Sequence, residues 1–311
     1  MIPPEQIQAA AELIRQGRLV AFPTETVYGL GANALDPAAV ARIYAAKGRP
    51  AGSPLIVHVA STEMAREVAA EWPETAGTLA GRYWPGPLTL VLPKRPCVPD
   101  IVTAGLETVG IRVPAHPVAL ALIRLAGVPI AAPSANRFSG LSPTTAAHVR
   151  DSLGAAVELI LDGGPTDVGI ESTVLSLAGP RPVLLRPGMV SQREIEDLVG
   201  PIEVAPSAGP GAHASPGMHR RHYSPNTRLL LVDGGAVPDR GKGGYLSVST
   251  EPAGAVASLV RMPSDPAKYA AALYETLHRL DREGLDWIAV ERPPECPEWA
   301  AILDRLERAA K

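Results

Sequence analysis

Small polar and basic side chains stand at the ends of several apolar segments of the sequence. They are Thr24 and Thr26, Lys47 and Arg49, Arg112, Ser134 and Asn136, Ser172 and Thr173, and Arg186. Guanidinium, ammonium and hydroxyl groups in this combination suit an anionic ligand with several phosphate oxygens. Because paired carboxylates are almost absent from these positions, the set suits metal coordination or glycoside hydrolysis poorly.

Arg112 is the most informative of these residues. It lies between Ile111 and Val113 in a short apolar segment, where an unpaired charge would be costly. Any one of the other basic residues could be a solvated side chain or half of a surface ion pair. That interpretation is weakest for Arg112.

Several familiar catalytic motifs are missing. There is no G-x-x-x-x-G-K-[ST], and no G-x-G-x-x-G follows a predicted strand, so a nucleotide would not bind through a P-loop. No G-x-S-x-G elbow is present.

His58 lies in an apolar strand, where a core histidine is the usual interpretation. His219 and His222 have no third metal ligand near them in the sequence.

Composition excludes some classes of protein and leaves others open. The chain has 311 residues, 46% hydrophobic and 20% charged, with a net charge of -3. That length allows two domains, and the charge argues against a protein built mainly to coat nucleic acid, although a local basic patch is possible. The two cysteines, Cys97 and Cys296, indicate neither a disulfide framework nor a zinc site, so the cytoplasm is the simplest setting. We expect no export signal and no membrane span, because no run of about 18 apolar residues occurs.

The stretch from Leu19 to Pro50 predicts one wall of a ligand site. Leu19 to Phe22 is an apolar strand, Pro23 to Leu30 an exposed polar turn, and a helix then begins with Asp36 as its cap. Lys47 and Arg49 follow at the end of this helix. Strand, turn and helix in this order are how α/β proteins build sites at strand ends.

The rest of residues 1–200 alternates predicted helices with short strands. Helices are predicted at 4–16, 62–70, 73–83, 117–126, from Pro143 with Ser142 as cap, and at 191–199 behind a Ser191 and Glu194 capping box. Strands are predicted at 54–59, within 84–93, and at 108–114, 128–132, 159–162, 173–177 and 183–185. This alternation predicts a mixed domain of the α/β or α+β class.

Residues 201–227 predict a linker, because proline and glycine replace the apolar residues that a core needs. The segment also contains MHRRHYSP at 218–225, which is more basic and aromatic than a spacer requires. Beyond it, strands at 229–232 and 287–290, a helix at 266–283 capped by Asp265, and a last helix from Pro297 predict a small α/β domain over 228–311.

Seven segments in order carry a resemblance to a known family. They are PTETVYGLGANA, KGRP followed by PLIVHV, WPGPLTLVL, VGIRVPAHP, PIAAPSANRFSGLSPT, GIESTVLSL and LLRPGMVS. In these segments the chain resembles the YrdC-type threonylcarbamoyl-AMP synthases, and HRRHYSPNTRL with the extra α/β unit resembles their longer two-domain form. The resemblance implies an α/β fold with a YrdC-like twisted open mixed sheet and flanking helices, followed by a smaller Rossmann-like C-terminal domain.

The family makes threonylcarbamoyl-AMP from L-threonine, bicarbonate or carbon dioxide, and ATP, and releases pyrophosphate. Partner proteins then transfer the threonylcarbamoyl group to tRNA. The resemblance implies that L-threonine is bound by Thr26, His58, Arg112, the backbone at Ala132, and Ser172. It implies that ATP is bound by Arg49, Ser53, Thr108, Ser134, Ser142, Arg186 and, from the linker, Tyr223. Relatives often carry Asn or His where this chain has Ser53, so that contact is the least certain.

The resemblance implies catalysis without a covalent nucleophile. Charge stabilisation would come from Lys47, Arg49 and Arg186, and Asn136 lies within the same motifs. Mg²⁺ would be held by the ATP phosphates and water, with no protein side chain as a metal ligand. The linker would fold over the pocket and place Tyr223 on the nucleotide, which would shield a product that is labile to water.

Two other functions remain possible on the sequence. One is an RNA-binding module of the same fold, with the HRRHY segment as its patch, and whether the chain contacts tRNA directly stays open. The other is the carbamoyl-adenylate step of hydrogenase maturation, which uses a related domain. That family carries additional acylphosphatase-like and zinc-finger segments, for which this chain has neither the length nor the cysteines.

Overall fold

The computed structural model describes residues 2–50, 52–206 and 222–310. These residues form two α/β units, and each unit is built on its own sheet. The sequence predicted both units and the mixed character of the first.

The larger sheet has ten strands in the order β10-β9-β8-β4-β5-β3-β6-β2-β1-β7. They are β1 (Val20–Phe22), β2 (Gly29–Asn33), β3 (Ile56–His58), β4 (Leu88–Pro93), β5 (Thr108–Arg112), β6 (Ile130–Ala131), β7 (Leu159–Ile160), β8 (Thr173–Ser176), β9 (Val183–Arg186) and β10 (Glu203–Val204). The sheet is mixed, with parallel pairs such as β3 with β5 and antiparallel pairs such as β4 with β5.

Eight helices belong to this unit within the described residues. They are α1 (Pro4–Arg15), α2 (Pro37–Lys47), α3 (Thr62–Val68), α4 (Glu74–Tyr83), α5 (Asp100–Thr103), α6 (Pro117–Ala126), α7 (Ala146–Leu153) and α8 (Gln192–Val199). Side chains alternate across each strand, so β1 directs Val20 and Phe22 to the core that contains α1 and α6, and Ala21 to the core that contains α2 and α4. The sheet is therefore covered on both faces, as its apolar strands require.

The second unit is a four-stranded parallel sheet in the order β11-β14-β12-β13. Its elements are β11 (Arg228–Val232), β12 (Gly243–Ser247), β13 (Ser258–Arg261), α9 (Pro266–Asp281), β14 (Trp287–Glu291) and α10 (Ala300–Ala309). The sequence indicated β11, α9 and β14 but not β12 and β13. Gly243 and Gly244 made β12 hard to recognise in the sequence, because glycine is uncommon inside strands. Gly243 is required there, since a Cβ on it would lie 2.1 Å from the Trp287 ring.

One hydrophobic core spans both units. Val27, Leu141 and Ile170 from the first unit pack with residues of α9 and α10 from the second. Leu273, Leu277 and Leu280, which share one face of α9 as the sequence predicted, are all buried in this core. The second unit is thus packed against the side of the first unit that carries the polar segments described above.

The predicted turn at Pro23 to Leu30 is wrong in two respects. Its residues are buried rather than exposed, and its end belongs to β2, which pairs antiparallel with β1 before α2 begins. Gly31 in β2 allows the two strands to pack closely, because a Cβ there would lie 2.7 Å from the Phe22 ring. The chain therefore forms a strand pair here, not a direct connection from strand to helix.

The predicted cap at Ser142 is also wrong. The helix α7 begins at Ala146, and Thr145 is its cap, accepting from the backbone N–H of His148. The Ser142 hydroxyl is occupied elsewhere, since it donates to the carboxylate of Glu171. By contrast, the Ser191 and Glu194 capping box and the Asp36 and Asp265 caps are present as predicted. None of the helices in the described residues has the length and apolar character to cross a bilayer.

Candidate active site

A cavity opens where several strands of the larger sheet end. His58 ends β3, Arg112 ends β5 and Arg186 ends β9, while Ser134 follows β6. The cavity brings together nine of the predicted site residues: Thr26, Arg49, His58, Arg112, Ala132, Ser134, Ser172, Arg186 and Tyr223. Residues far apart in the chain thus share one pocket, because their strands are neighbours in the sheet.

The Thr-Glu-Thr turn after β1 forms the wall around Arg112. Nη1 of Arg112 donates to the Thr26 hydroxyl at 2.9 Å, and its Nε donates to the carbonyl of Gly86 at 3.1 Å. The third contact is an ion pair, in which a carboxylate oxygen of Glu25 lies 2.7 Å from Nη2 of Arg112. A guanidinium fixed on three sides in this way can present a defined edge to a carboxylate ligand.

His58 lies beside Arg112 and is 4% exposed. Burial, with the positive charge of Arg112 as a second cause, lowers the pKa of His58 to about 3. The ring is therefore neutral at physiological pH, so it can offer a hydrogen bond without adding positive charge.

Arg49 and Lys47 form a second basic part of the site. Nη2 of Arg49 donates to the carbonyl of Pro54 at 3.1 Å, and burial lowers the pKa of Arg49 to about 10. Lys47 is buried as well, and its Nζ donates to the carbonyls of Ser134 and Asn136. Burial, followed by the charge of Arg49, holds the pKa of Lys47 well below its ordinary value. In this structure Lys47 therefore positions the loop that carries Ser134.

Arg186 and Ser172 form the third part. The guanidinium donates through Nε to the carbonyl of Ser172 at 3.0 Å and through Nη2 to its hydroxyl at 3.2 Å. The same hydroxyl lies 2.8 Å from that of Thr89 on β4. Arg186 is 4% exposed, so a cation and a hydroxyl are held side by side in a nearly water-free wall.

Five predicted residues, although described, do not line the cavity. Ser53 lies behind Arg49, and its carbonyl accepts from Nε of Arg49 at 3.4 Å and from the Tyr44 hydroxyl at 2.9 Å. Thr108 begins β5, at the end of that strand away from Arg112. Ser142 contacts Glu171, Lys47 supports the Ser134 loop, and Nδ2 of Asn136 donates to the carbonyls of Arg137 and Gly140.

Two buried carboxylates, Glu25 and Glu171, were missed by the sequence interpretation, which expected almost none near the site. Glu25 lies between Thr24 and Thr26, and Glu171 directly precedes Ser172, so their positions beside predicted site residues were the available signal. Glu171 lines the cavity, and Glu25 pairs with a residue that does.

The cation that holds Glu171 comes from the second unit. Nε of Arg305 on α10 donates to the Glu171 carboxylate at 2.8 Å, and Arg305 is 1% exposed. The sequence signal was an arginine on the apolar face of a helix, four residues from Ala301 and from Ala309. The first unit's pocket thus depends on a residue near the C-terminal end of the chain.

His222 and Tyr223 close one side of the cavity. Tyr223 is 1% exposed and has a φ of 61°, a left-handed conformation that packing must hold in place for a residue with a side chain. Residues 207–221, which include most of the predicted linker and half of the MHRRHYSP segment, lie outside the described residues.

Metal ligands do not cluster in the part of the chain that the structure describes. No group of three or more His, Cys, Asp or Glu side chains is arranged there to hold an ion. Glu25 and Glu171 are each paired with an arginine. Fold and site together define an α/β protein with a buried, arginine-rich pocket that suits small anionic ligands and is completed by a C-terminal unit.

Comparison with known proteins narrows this class. The Sua5, YciO and YrdC family model, described as "Telomere recombination", matches residues 12–188, and the model described as "Threonylcarbamoyl-AMP synthase, C-terminal domain" matches residues 190–311. The threonylcarbamoyl-AMP synthase of Pyrococcus abyssi is 45% identical over 98% of this chain and 94% of its own length. That of Bacillus subtilis is 46% identical over 98% of this chain and 93% of its own length.

The crystal structure of Pyrococcus abyssi Sua5 complexed with L-threonine has the same fold. It superposes with a TM-score of 0.93 at 43% identity, over 100% of this chain and 95% of that one. The chain belongs to the threonylcarbamoyl-AMP synthase family, in its two-domain form.

Proposed function

We propose that this protein synthesises L-threonylcarbamoyl-AMP from L-threonine, ATP, and bicarbonate or carbon dioxide, with release of pyrophosphate. The observation that carries the proposal is the single pocket containing buried Arg49, Arg112 and Arg186 beside hydroxyl groups. This is the charge pattern that an amino-acid carboxylate and a triphosphate require together. The reaction is the first step of threonylcarbamoyladenosine formation beside the tRNA anticodon.

L-Threonine binds on the β3 and β5 side of the pocket. Arg112 pairs with its carboxylate, Thr26, His58 and Ser172 contact its polar groups, and the backbone at Ala132 completes the site. A pocket that hydrogen-bonds the threonine hydroxyl discriminates against amino acids lacking it, because its own polar groups would then be left unpaired. The threonine amine remains accessible for reaction.

ATP binds on the adjoining side, near Arg49, Ser134 and Arg186, with Tyr223 over the nucleotide. Ser53, Thr108 and Ser142 are also predicted ATP contacts, but they do not line the cavity. Lys47 supports Ser134 from behind the cavity wall. The two substrates then meet where Arg186 contacts Ser172, which is the close placement that direct transfer between them needs.

The chemistry has two steps. The threonine nitrogen attacks the carbon of carbon dioxide and loses a proton, giving a carbamate. With bicarbonate the same carbamate forms when the amine proton and the bicarbonate hydroxyl leave together as water. A carbamate oxygen then attacks the α-phosphorus of ATP, the bond to the β-phosphate oxygen breaks, and pyrophosphate leaves. The protein contributes alignment and charge neutralisation through Arg49 and Arg186 rather than a covalent nucleophile.

Mg²⁺ accompanies ATP in this proposal. The residues fit a metal carried by the substrate, because Glu25 and Glu171 are both paired with arginines and its oxygen ligands must come from phosphates and water. When bound, it would neutralise phosphate charge. His222 and Tyr223, at the described end of the linker, cover one side of the pocket and shield the adenylate from water. The product passes in the cytoplasm to the proteins that modify tRNA.

Pyrophosphate release tests the proposal. The full chain is incubated with ATP, Mg²⁺ and bicarbonate, and with each amino acid in turn. We expect release with threonine and far less with serine, valine or alanine. Salt-sensitive tRNA binding without threonine-dependent ATP turnover would instead favour the RNA-binding module.

A further inference from the structure

Arg305 joins the two segments that carry Ser172 and Arg186. Its Nε and Nη2 donate to the carboxylate and to the backbone carbonyl of Glu171, at 2.8 and 3.2 Å, and its Nη1 donates to the carbonyl of Pro187 at 3.0 Å. Glu171 directly precedes Ser172, and Pro187 directly follows Arg186. One side chain of α10 thus fixes the backbone on both sides of the Ser172 and Arg186 contact.

Arg305 also compensates the charge of Glu171. Burial alone would raise the pKa of Glu171, but the charges of Arg305 and then Arg186, with the Ser142 hydrogen bond, hold it below its usual value. Glu171 is therefore an anion in the pocket wall, 7% exposed. Without Arg305 this anion would repel a phosphate in the cavity and would draw the guanidinium of Arg186 towards itself.

The same helix holds the residues that close the cavity. The guanidinium carbon of Arg305 lies 5.2 Å from the centre of the Tyr223 ring. The backbone N–H of His222 donates to the carbonyl of Arg308 at 3.3 Å, and the Ser224 hydroxyl donates to that of Ala309 at 3.3 Å. The pocket wall and its cover are thus both attached to α10.

We propose that Arg305 is a positioning residue of the synthase pocket: by neutralising Glu171 it keeps Arg186 in place for the nucleotide phosphates. This role rests on the proposed function, and it makes the C-terminal unit an integral part of the site. Arg305 contacts no substrate in this arrangement and acts through Glu171.

Charge compensation is tested with Arg305→Met, Glu171→Gln and the double variant in the full-length protein. We expect Arg305→Met to raise the KM for ATP about tenfold, equivalent to 1.4 kcal/mol, and the KM for threonine much less. Removing the anion as well should return the ATP KM of the double variant to within about threefold of that of Glu171→Gln. Arg305→Lys, which keeps the charge, should retain most of the affinity for ATP.

A matched control is Arg292→Met, which removes an arginine of the same unit that is paired with Asp233 and Glu307 away from the cavity. A double variant as impaired as Arg305→Met, or an equal rise in the ATP KM with Arg292→Met, would overturn the proposal. If Arg305→Met does not fold, the double variant is compared with Glu171→Gln. An ATP KM within about threefold of that of Glu171→Gln supports the proposal, and an ATP KM about tenfold higher overturns it. Absence of pyrophosphate release by the wild-type protein would reject the synthase reaction, not the role of Arg305. The role of Arg305 and Glu171 can still be tested in that case, because calorimetry measures the affinity of each variant for ATP directly.

Discussion

Glu25 and Arg112 form a buried ion pair, with 2.7 Å between a carboxylate oxygen and Nη2 and with side chains 9% and 4% exposed. Neither oxygen of Glu25 has a well-aligned hydrogen bond among the described residues. The pair therefore rests mainly on charge attraction in a region with little water. A threonine carboxylate that binds Arg112 would join a guanidinium already held in position.

Replacing one residue of the Glu25 and Arg112 ion pair should destabilise the protein more than replacing both residues. We expect Glu25→Gln and Arg112→Met each to lower the free energy of unfolding by about 3 kcal/mol, because each leaves an uncompensated buried charge. The double variant should lose clearly less than the sum of the two. Urea denaturation of all four proteins measures the coupling, and strictly additive losses would show that the two charges do not interact.

Arg112→Ala should change the threonine requirement selectively. Loss of a charge-assisted hydrogen bond, worth about 1.5–3 kcal/mol, should raise the KM for threonine about 10- to 100-fold. The KM for ATP should change little, since ATP is assigned to Arg49, Ser134 and Arg186. Pyrophosphate release is measured with each substrate varied in turn. Equal increases in both KM values would remove Arg112 from the threonine side.

Tyr223→Phe separates a substrate contact from a packing role. The Tyr223 hydroxyl is buried and has no hydrogen-bond partner among the described residues, although the residue lines the cavity. Removing it should leave the thermal stability unchanged or slightly higher, since no internal hydrogen bond is lost. The KM for ATP should rise about tenfold if the hydroxyl binds the nucleotide, as a lost bond of about 1.4 kcal/mol predicts. An unchanged KM with normal turnover would limit Tyr223 to packing.

Gly169→Ala should lower the stability of the protein by disturbing the contact between the first unit and α9. Gly169 has a φ of +79°, and a Cβ there would lie 2.5 Å from the Ala270 carbonyl oxygen on α9. Gly164 is a matched control, because its φ is +86° but a Cβ there would have no atom within 4 Å. Gly164→Ala should cost about 1 kcal/mol through backbone strain alone, and Gly169→Ala about 1–3 kcal/mol more through the clash. Similar losses for both variants would argue against a tight contact at Gly169.

Stability should fall as the pH drops below 6.5. Burial lowers the folded-state pKa of His58 and of His148 to about 3, so below 6.5 the unfolded chain takes up protons that the folded chain does not. Each histidine should contribute a loss of up to about 1.4 kcal/mol per pH unit between pH 6.5 and 3. Urea denaturation at pH 7.5 and 5.5 measures the loss. The His148→Gln variant should show a smaller loss than wild type, and an unchanged difference would contradict the assignment.

Much of the fold could be predicted, because local sequence patterns indicate where strands lie and where helices begin. Alternation of apolar segments indicated most strands, and Asp36, Asp265 and Ser191 marked helix starts that the structure contains. Ser142 shows the limit of such signals, since its hydroxyl could cap a helix or bind another partner and a buried carboxylate decided the outcome. Gly31 shows the same limit for glycine, which permits close strand packing as well as a turn.

By itself the sequence determined which side chains the protein has for an anionic ligand, the order of its motifs, and hence its family. Only the tertiary structure decided how the charges are paired. Glu25 meets Arg112, and Glu171 meets Arg305, across distances in the chain that no local pattern spans. Ion pairing depends on separations of a few ångströms and on the exclusion of water, and both arise only when the sheet and α10 are packed together.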